Sequence, residues 1–252
     1  INWTSRVSPT LNNWNGVHFA NNIFVAVSNT GTGDRVMTSV DGITWLNASN
    51  SASDSNWQRV TYGAGLFVAV ASNGGTSSVM TASDPTGTWT LRTTLNSDFG
   101  DVHFANSLFV AVSSSVGSNR VMTSTDGITW TTRTASHLKN WNRVTYGNSI
   151  WVATANSGTS NLVMTSADGI TWTSRTTPAD NSWWGSSFGA GLFVVTASSG
   201  TADQRIMTSA DGITWVTRDL TTGASGNWSM SFKGFSTYQA KTPTLTADHL
   251  EL

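Results

Sequence analysis

"RVMTSTDGITW", Arg120 to Trp130, is written again as "RVMTSVDGITW" from Arg35 to Trp45 and as "RIMTSADGITW" from Arg205 to Trp215. Val-Met-Thr-Ser is strand material, Asp-Gly supplies the positive φ of a tight turn, and the segment after it ends on Trp, so the stretch predicts a β-hairpin. Working outward, the aromatic that opens each unit falls at Trp14, Trp57, Phe99, Trp141 and Trp183, with spacings of 43, 42, 42 and 42 residues. Such a period marks stacked supersecondary units.

Each unit carries four strand-like segments. In the fourth they are "RVTYG" (143–147), "SIWVATA" (149–155), "LVMTSADG" (162–169) and "ITWTSRT" (170–176). The run "FVAV" (24–27, 67–70, 109–112) is apolar at consecutive positions, as a strand covered on both faces must be. Four strands in about 42 residues, repeated round a ring, describe an all-β fold, the β-propeller.

The reading gives a single domain over 1–252 with six blades: 14–56, 57–98, 99–140, 141–182, 183–227, and 228–252 joined to 1–13. The last would be closed by both termini, since "INWTSR" (1–6) matches the fourth strand of a blade and "NWSMSFKG" (227–234) restarts a first one. Units at 14 and 99 carry "VHFAN" where those at 57 and 141 carry "RVTYG", a pairwise alternation that favours an even count. The fifth unit is mixed, "FGAGLF" (188–193), which keeps five blades open as the alternative.

The segment "SVDGITW" (39–45) resembles the Asp-box, or BNR, repeat of sialidases and other propellers, one residue short in four of five units; "SDPTGTW" (83–89) is longer and departs from it differently. The resemblance implies a propeller hairpin with a structural turn on every blade and says little about function; the reading adopted is a lectin-like or adhesin-like protein rather than a catalytic sialidase. The residues argue for the same role. Asp41, Asp84, Asp126, Asp168 and Asp211 stand at turns, where a carboxylate accepts backbone N–H bonds, and one acid per blade cannot converge on a metal. The arginines that follow the Trp (Arg6, Arg92, Arg133, Arg175 and Arg218) are expected to stack on aromatics or pair with a turn Asp.

Composition closes several functions. There is no Cys, hence no disulfide, thiolate nucleophile or Cys-based zinc site. With 13 basic and 14 acidic residues and no basic cluster, nucleic acid is not an expected partner. No apolar run reaches the ~20 residues of a membrane-spanning helix, so no membrane insertion is expected. A chain opening on Ile1 is expected of a processed protein or of a piece of a longer one. No nucleophile, base and orienting group can be assembled, for the one Glu is Glu251 and the acids near loops are Asp34, Asp54, Asp98, Asp101, Asp180 and Asp203. His18 and His103 share a strand position with Thr61 and Thr145, which points to interior hydrogen bonding.

What remains is binding. The loops 46–56, 134–140, 176–182 and 220–227, beside 28–34 and 197–204, vary between units and are rich in Asn, Ser, Thr and Asp, which suits neutral hydroxyls. Candidate ligand contacts are Trp184, Trp183, Trp14, Trp57, Trp141, Asn15 and Asn142. Trp184 stands out because its equivalents are Asn15, Gln58, Gly100 and Asn142. The expectation is a non-enzymatic module without cofactor or metal that binds glycans or a glycosylated surface. It would belong to a secreted, cell-surface or viral-fibre protein; a protein-interaction scaffold is the alternative, and a divergent glycan-active enzyme the second. Sequons at Asn2, Asn47 and Asn227 are compatible with that location.

Overall fold

The computed structural model describes residues 4–48, 53–73, 75–94, 98–114, 119–200 and 204–218. Among them are five four-stranded antiparallel sheets and no α-helix. The first sheet is β1 (Trp14–Ala20), β2 (Ile23–Ser28), β3 (Val36–Ser39) and β4 (Leu46–Asn47); the second is β5 (Asn56–Gly63), β6 (Leu66–Ser72), β7 (Val79–Ala82) and β8 (Thr90–Arg92). The third is β9 (Phe99–Ala105), β10 (Leu108–Ser113), β11 (Val121–Ser124) and β12 (Thr131–Arg133). The fourth is β13 (Trp141–Gly147), β14 (Ile150–Ala155), β15 (Val163–Ser166) and β16 (Thr173–Arg175), and the fifth β17 (Ser182–Gly189), β18 (Leu192–Ser199), β19 (Ile206–Ser209) and β20 (Val216–Arg218). In every sheet the strands pair in chain order.

Five sheets point to five blades, and the six-blade reading is not supported. Of the strand expected at 1–6, residues 4–6 are in no strand, and nor is any residue up to Asn13; Val7 and Leu11 lie almost wholly in solvent. The other half of that blade, 228–252, lies outside the described residues.

Two compact units divide the chain, one over Ile1–Arg133 with the first three sheets and one from Thr134 onward with the last two. The core of the first lies between facing sheets. Val25, Val27 and Val36 pack with Trp57, Phe67 and Trp89, and Val68, Val70 and Val79 pack with Phe99, Phe109 and Met122. That two-sided burial is why "FVAV" does not alternate: Phe67 to Ala71 are all 0% exposed.

The hairpin joining the first two strands of each sheet turns on two residues. Asn21 and Asn22 have φ of 49° and 59°, and Ala64–Gly65, Asn106–Ser107, Asn148–Ser149 and Ala190–Gly191 repeat the pair of positive values. Two left-handed residues make the turn whose twist matches antiparallel strands.

The alternation of "VHFAN" with "RVTYG" has a packing cause. In the first unit Asn21 Nδ2 donates to the Tyr62 hydroxyl at 2.8 Å, and a Cβ added at Gly63 would lie 2.1 Å from Phe104 Cγ. In the second a Cβ at Gly147 would lie 2.2 Å from Phe188 Cγ. Tyr62 is thus met by an Asn of the sheet before it, and Phe104 and Phe188 by the bare backbone of a Gly.

Candidate functional site

The Asp-Gly turns are built alike. In the third sheet Asp126 Oδ1 accepts the N–H groups of Ile128 and Thr129, both at 2.8 Å, and the Ser124 hydroxyl at 2.9 Å; Gly127 N–H donates to Ser124 Oγ. Trp130 Nε1 then donates to Gly127 O at 3.1 Å, which sets the ring's direction. Asp41, Asp168 and Asp211 repeat these bonds. In all four the backbone N–H of the Thr three residues on is the first cause of a carboxyl pKa lowered to about 2. Asp84 differs. It accepts the Thr86 hydroxyl and N–H, which lower its pKa, and its Trp89 bonds to Pro85 O. One oxygen of each of these carboxylates, Oδ1, is thus bonded within its own turn.

The arginines after the Trp do something other than expected. Arg92, Arg133, Arg175 and Arg218 each donate Nε to a buried hydroxyl on the third strand, Thr81, Thr123, Thr165 and Thr208, at 2.8–3.1 Å. These bonds run to strand hydroxyls, where the sequence leads one to expect an aromatic ring or a turn Asp. The reason is register: Val121 pairs with Arg133, so Thr123, two residues along, shares its face.

The loop acids also hold backbone. Asp54 Oδ1 accepts Gly33 N–H at 2.7 Å, Asp98 accepts Asn73 N–H at 3.0 Å and Asp180 accepts Ser160 N–H at 2.6 Å. Each ties the loop entering a sheet to a loop within one. Asp34 accepts the Asn12 amide and Asp101 the N–H of Val102, while Asp203 lies outside the described residues. This stapling was missed in the sequence, although three of the five sheets carry an Asp in the loop preceding the inner strand.

Among the proposed ligand contacts, Trp57, Trp141 and Trp183 are 0% exposed, and rings so fully buried offer no surface to a ligand. Trp57 and Trp141 spend their indole N–H on Ser53 O and His137 O. Trp14 is half-buried. The Asn15 amide donates to Trp57 O at 3.4 Å, and the Asn142 amide nitrogen lies 3.0 Å from Trp183 O and 2.9 Å from Thr154 O. Both side chains are committed to holding the next sheet.

Trp184 is placed differently, by a bulge. In each sheet the first strand carries one extra residue at the same point, between Trp14 and Gly16, Trp57 and Arg59, Phe99 and Asp101, Trp141 and Arg143, and Trp183 and Gly185. The extra residues are Asn15, Gln58, Gly100, Asn142 and Trp184. A bulge re-aims a side chain out of the pleat. The Trp184 indole is 41% exposed, and the guanidinium carbon of Arg143 lies 5.9 Å from its centroid. Arg143 is itself held by its Nη1 bond to Asn142 O at 2.6 Å. The result is an indole with one face steadied by a cation, at the loop end of β17.

No family model matches the sequence, and no curated protein matches it either. Solved structures do match. The chain aligns over 88% of its length with 75% of a catalytically inactive virginiamycin B lyase from Staphylococcus aureus with quinupristin (TM-score 0.73, 10% identity). It aligns over 82% with 68% of YCF48 bound to D1 peptide (TM-score 0.60, 14% identity). It also aligns over 87% with the computationally designed Ika8 protein, spanning 65% of it, just under two thirds (TM-score 0.59, 17% identity). The fold is that of a β-propeller. At these identities the likeness speaks for the fold of the propeller and not for its chemistry.

Proposed function

We propose that this propeller is a non-enzymatic binding module whose ligand stacks on Trp184, and that the ligand is a neutral saccharide of a glycosylated surface. The observation that carries the reading is the exposed indole at a bulge position filled elsewhere by Asn, Gln or Gly, backed by Arg143. Sugar C–H faces stack on such rings, and the adjoining loops offer amides and hydroxyls with little charge. One stacking ring and a shallow polar rim supply only ~4 to 8 kcal/mol, so each site would bind in the millimolar to micromolar range, and adhesion would draw on several copies. A multivalent display of the folded chain on a broad glycan array tests the reading. Binding lost in Trp184→Ala supports it, and a blank array overturns it.

A protein-interaction scaffold is the second reading. It draws on the exposed Ile43, Ile128, Ile170 and Ile213, one on the Asp-Gly turn of each of four sheets, and on the peptide bound by YCF48. Under it the array stays blank, and Ile128→Asp with Ile170→Asp abolishes capture of a protein partner while Trp184→Ala does not.

A further inference from the structure

We infer that Arg143 sets the charge preference of the Trp184 platform, so that neutral and anionic ligands stack there while amino sugars and other cationic ligands are disfavoured. The inference rests on the reading of Trp184 as a stacking platform. The face of an indole is negative and by itself attracts ammonium groups. This indole already has a cation beside it. The guanidinium carbon of Arg143 lies 5.9 Å from the ring centroid, and the residue is still 41% exposed. A cationic group in van der Waals contact with the other face would stand about 10 Å from the guanidinium. Repulsion at that distance, at an effective dielectric of roughly 20 to 80, lowers affinity about two- to tenfold. A built-in repulsion of this kind separates ligands that shape alone does not.

The charge is held in place by backbone and not by the ring. Arg143 follows the bulge residue of β13, and its Nη1 donates to that residue's carbonyl, Asn142 O, at 2.6 Å. Arg59 follows the bulge residue of β5 and makes the same bond to Gln58 O at 2.7 Å, although the bulge residue of the sheet after it is Gly100, which has no ring. The posture therefore belongs to the bulge, and the indole is what the fifth sheet adds. Two further ties set the spacing of β13 and β17. The Asn142 amide nitrogen lies 3.0 Å from Trp183 O, and the hydroxyls of Thr145 and Ser186 lie 2.7 Å apart. The residue after the bulge in the fifth sheet is Gly185, and β17 itself holds no charged residue.

Collisional quenching of Trp184 fluorescence by iodide and by caesium is the test, read on the full chain as the difference between each protein and the same protein carrying Trp184→Ala. In the wild type the iodide-to-caesium ratio of quenching constants is expected to be high at low salt and to fall as potassium chloride screens the guanidinium. Arg143→Gln, which keeps a donor for Asn142 O and removes the charge, is expected to lower the ratio about two- to tenfold. Arg143→Lys keeps the charge and is expected to keep the ratio. A ratio that Arg143→Gln leaves unchanged overturns the inference. So does one that Arg143→Lys lowers as far, since the residue would then be a support and not a charge. Should Arg143→Gln fail to fold, the wild type decides, and a ratio indifferent to salt overturns the inference. Titration with chitotriose and its tri-N-acetylated form adds the ligand arm: the affinity of the amine form relative to the acetylated one is expected to rise about two- to tenfold in Arg143→Gln. A blank glycan array removes the saccharide reading and leaves the quencher ratio to decide this one.

Discussion

Gly63 leaves Phe104 the space its ring occupies, since a Cβ on Gly63 would lie 2.1 Å from Phe104 Cγ. The contact is one of shape and has no polar component, so adding a methyl group tests it directly. Gly63→Ala is expected to lower stability by about 1 to 3 kcal/mol through overpacking. Gly189→Ala, with no atom of the described residues within 4 Å of the new Cβ, should change little. Thermal unfolding of the two variants side by side checks this, and equal melting temperatures would count against the close fit of Phe104 on Gly63.

The turn carboxylates predict an acid limit to stability. Asp41, Asp126, Asp168 and Asp211 have pKa values of about 2 in the folded chain against an ordinary 3.8, chiefly because backbone N–H groups bond the ionised form. The unfolded chain takes up these protons first as pH falls. Their contribution is fully present above about pH 4 and is lost as pH drops towards 2. A melting temperature level from pH 7 to about 4 and falling below it is the expected profile. Asp126→Ala should melt lower at pH 7 and show a shallower acid decline.

Tryptophans with the same chemistry should part company. Trp215 is 7% exposed, bonds to Gly212 O at 2.9 Å and lies 6.3 Å from the Phe193 ring, so Trp215→Ala should cost about 3 to 5 kcal/mol. Trp184→Ala should stay within about 0.5 kcal/mol of wild type, as surface changes do. Denaturant titration distinguishes them. If both variants unfold alike, Trp184 is a packing residue and not a platform.

The Arg–Thr bonds predict a modest, repeated term. Thr165→Val removes the acceptor of Arg175 Nε while keeping the volume, and should cost about 1 kcal/mol. Thr123→Val and Thr208→Val should do the same in their own sheets, and well-separated sites should add. A triple variant as stable as wild type would show that the arginines find water equally well.

Chelation should leave the melting temperature unmoved. Among the described residues no group of three His, Asp or Glu is arranged to hold an ion, and the repeated acids are bonded to backbone. A lower melting temperature in EDTA that calcium restores would overturn the turn reading.

Much of the fold was legible because it is local and repeated. Asp-Gly before a Trp, written in four of the five units, and the consecutive apolar run Phe67 to Ala71 state turn and two-sided burial within a few residues. The count of blades was less legible, because arithmetic on 252 residues treats "INWTSR" as a strand by likeness alone. A strand needs a partner to pair with, and Thr4–Arg6 are in no strand.

At the site, sequence comparison alone singled out Trp184 as the residue that breaks the pattern. Only the tertiary structure separated it from its neighbour Trp183, because one bulge turns the first indole outward to 41% exposure and leaves the second at 0%. The same holds for the partners of Arg175, Asp180 and Phe104. Sequence specifies which groups recur at which spacing. Which of them meet is decided by strand register and by the packing of one sheet on the next, contacts between residues 10 to 41 positions apart that no local pattern encodes.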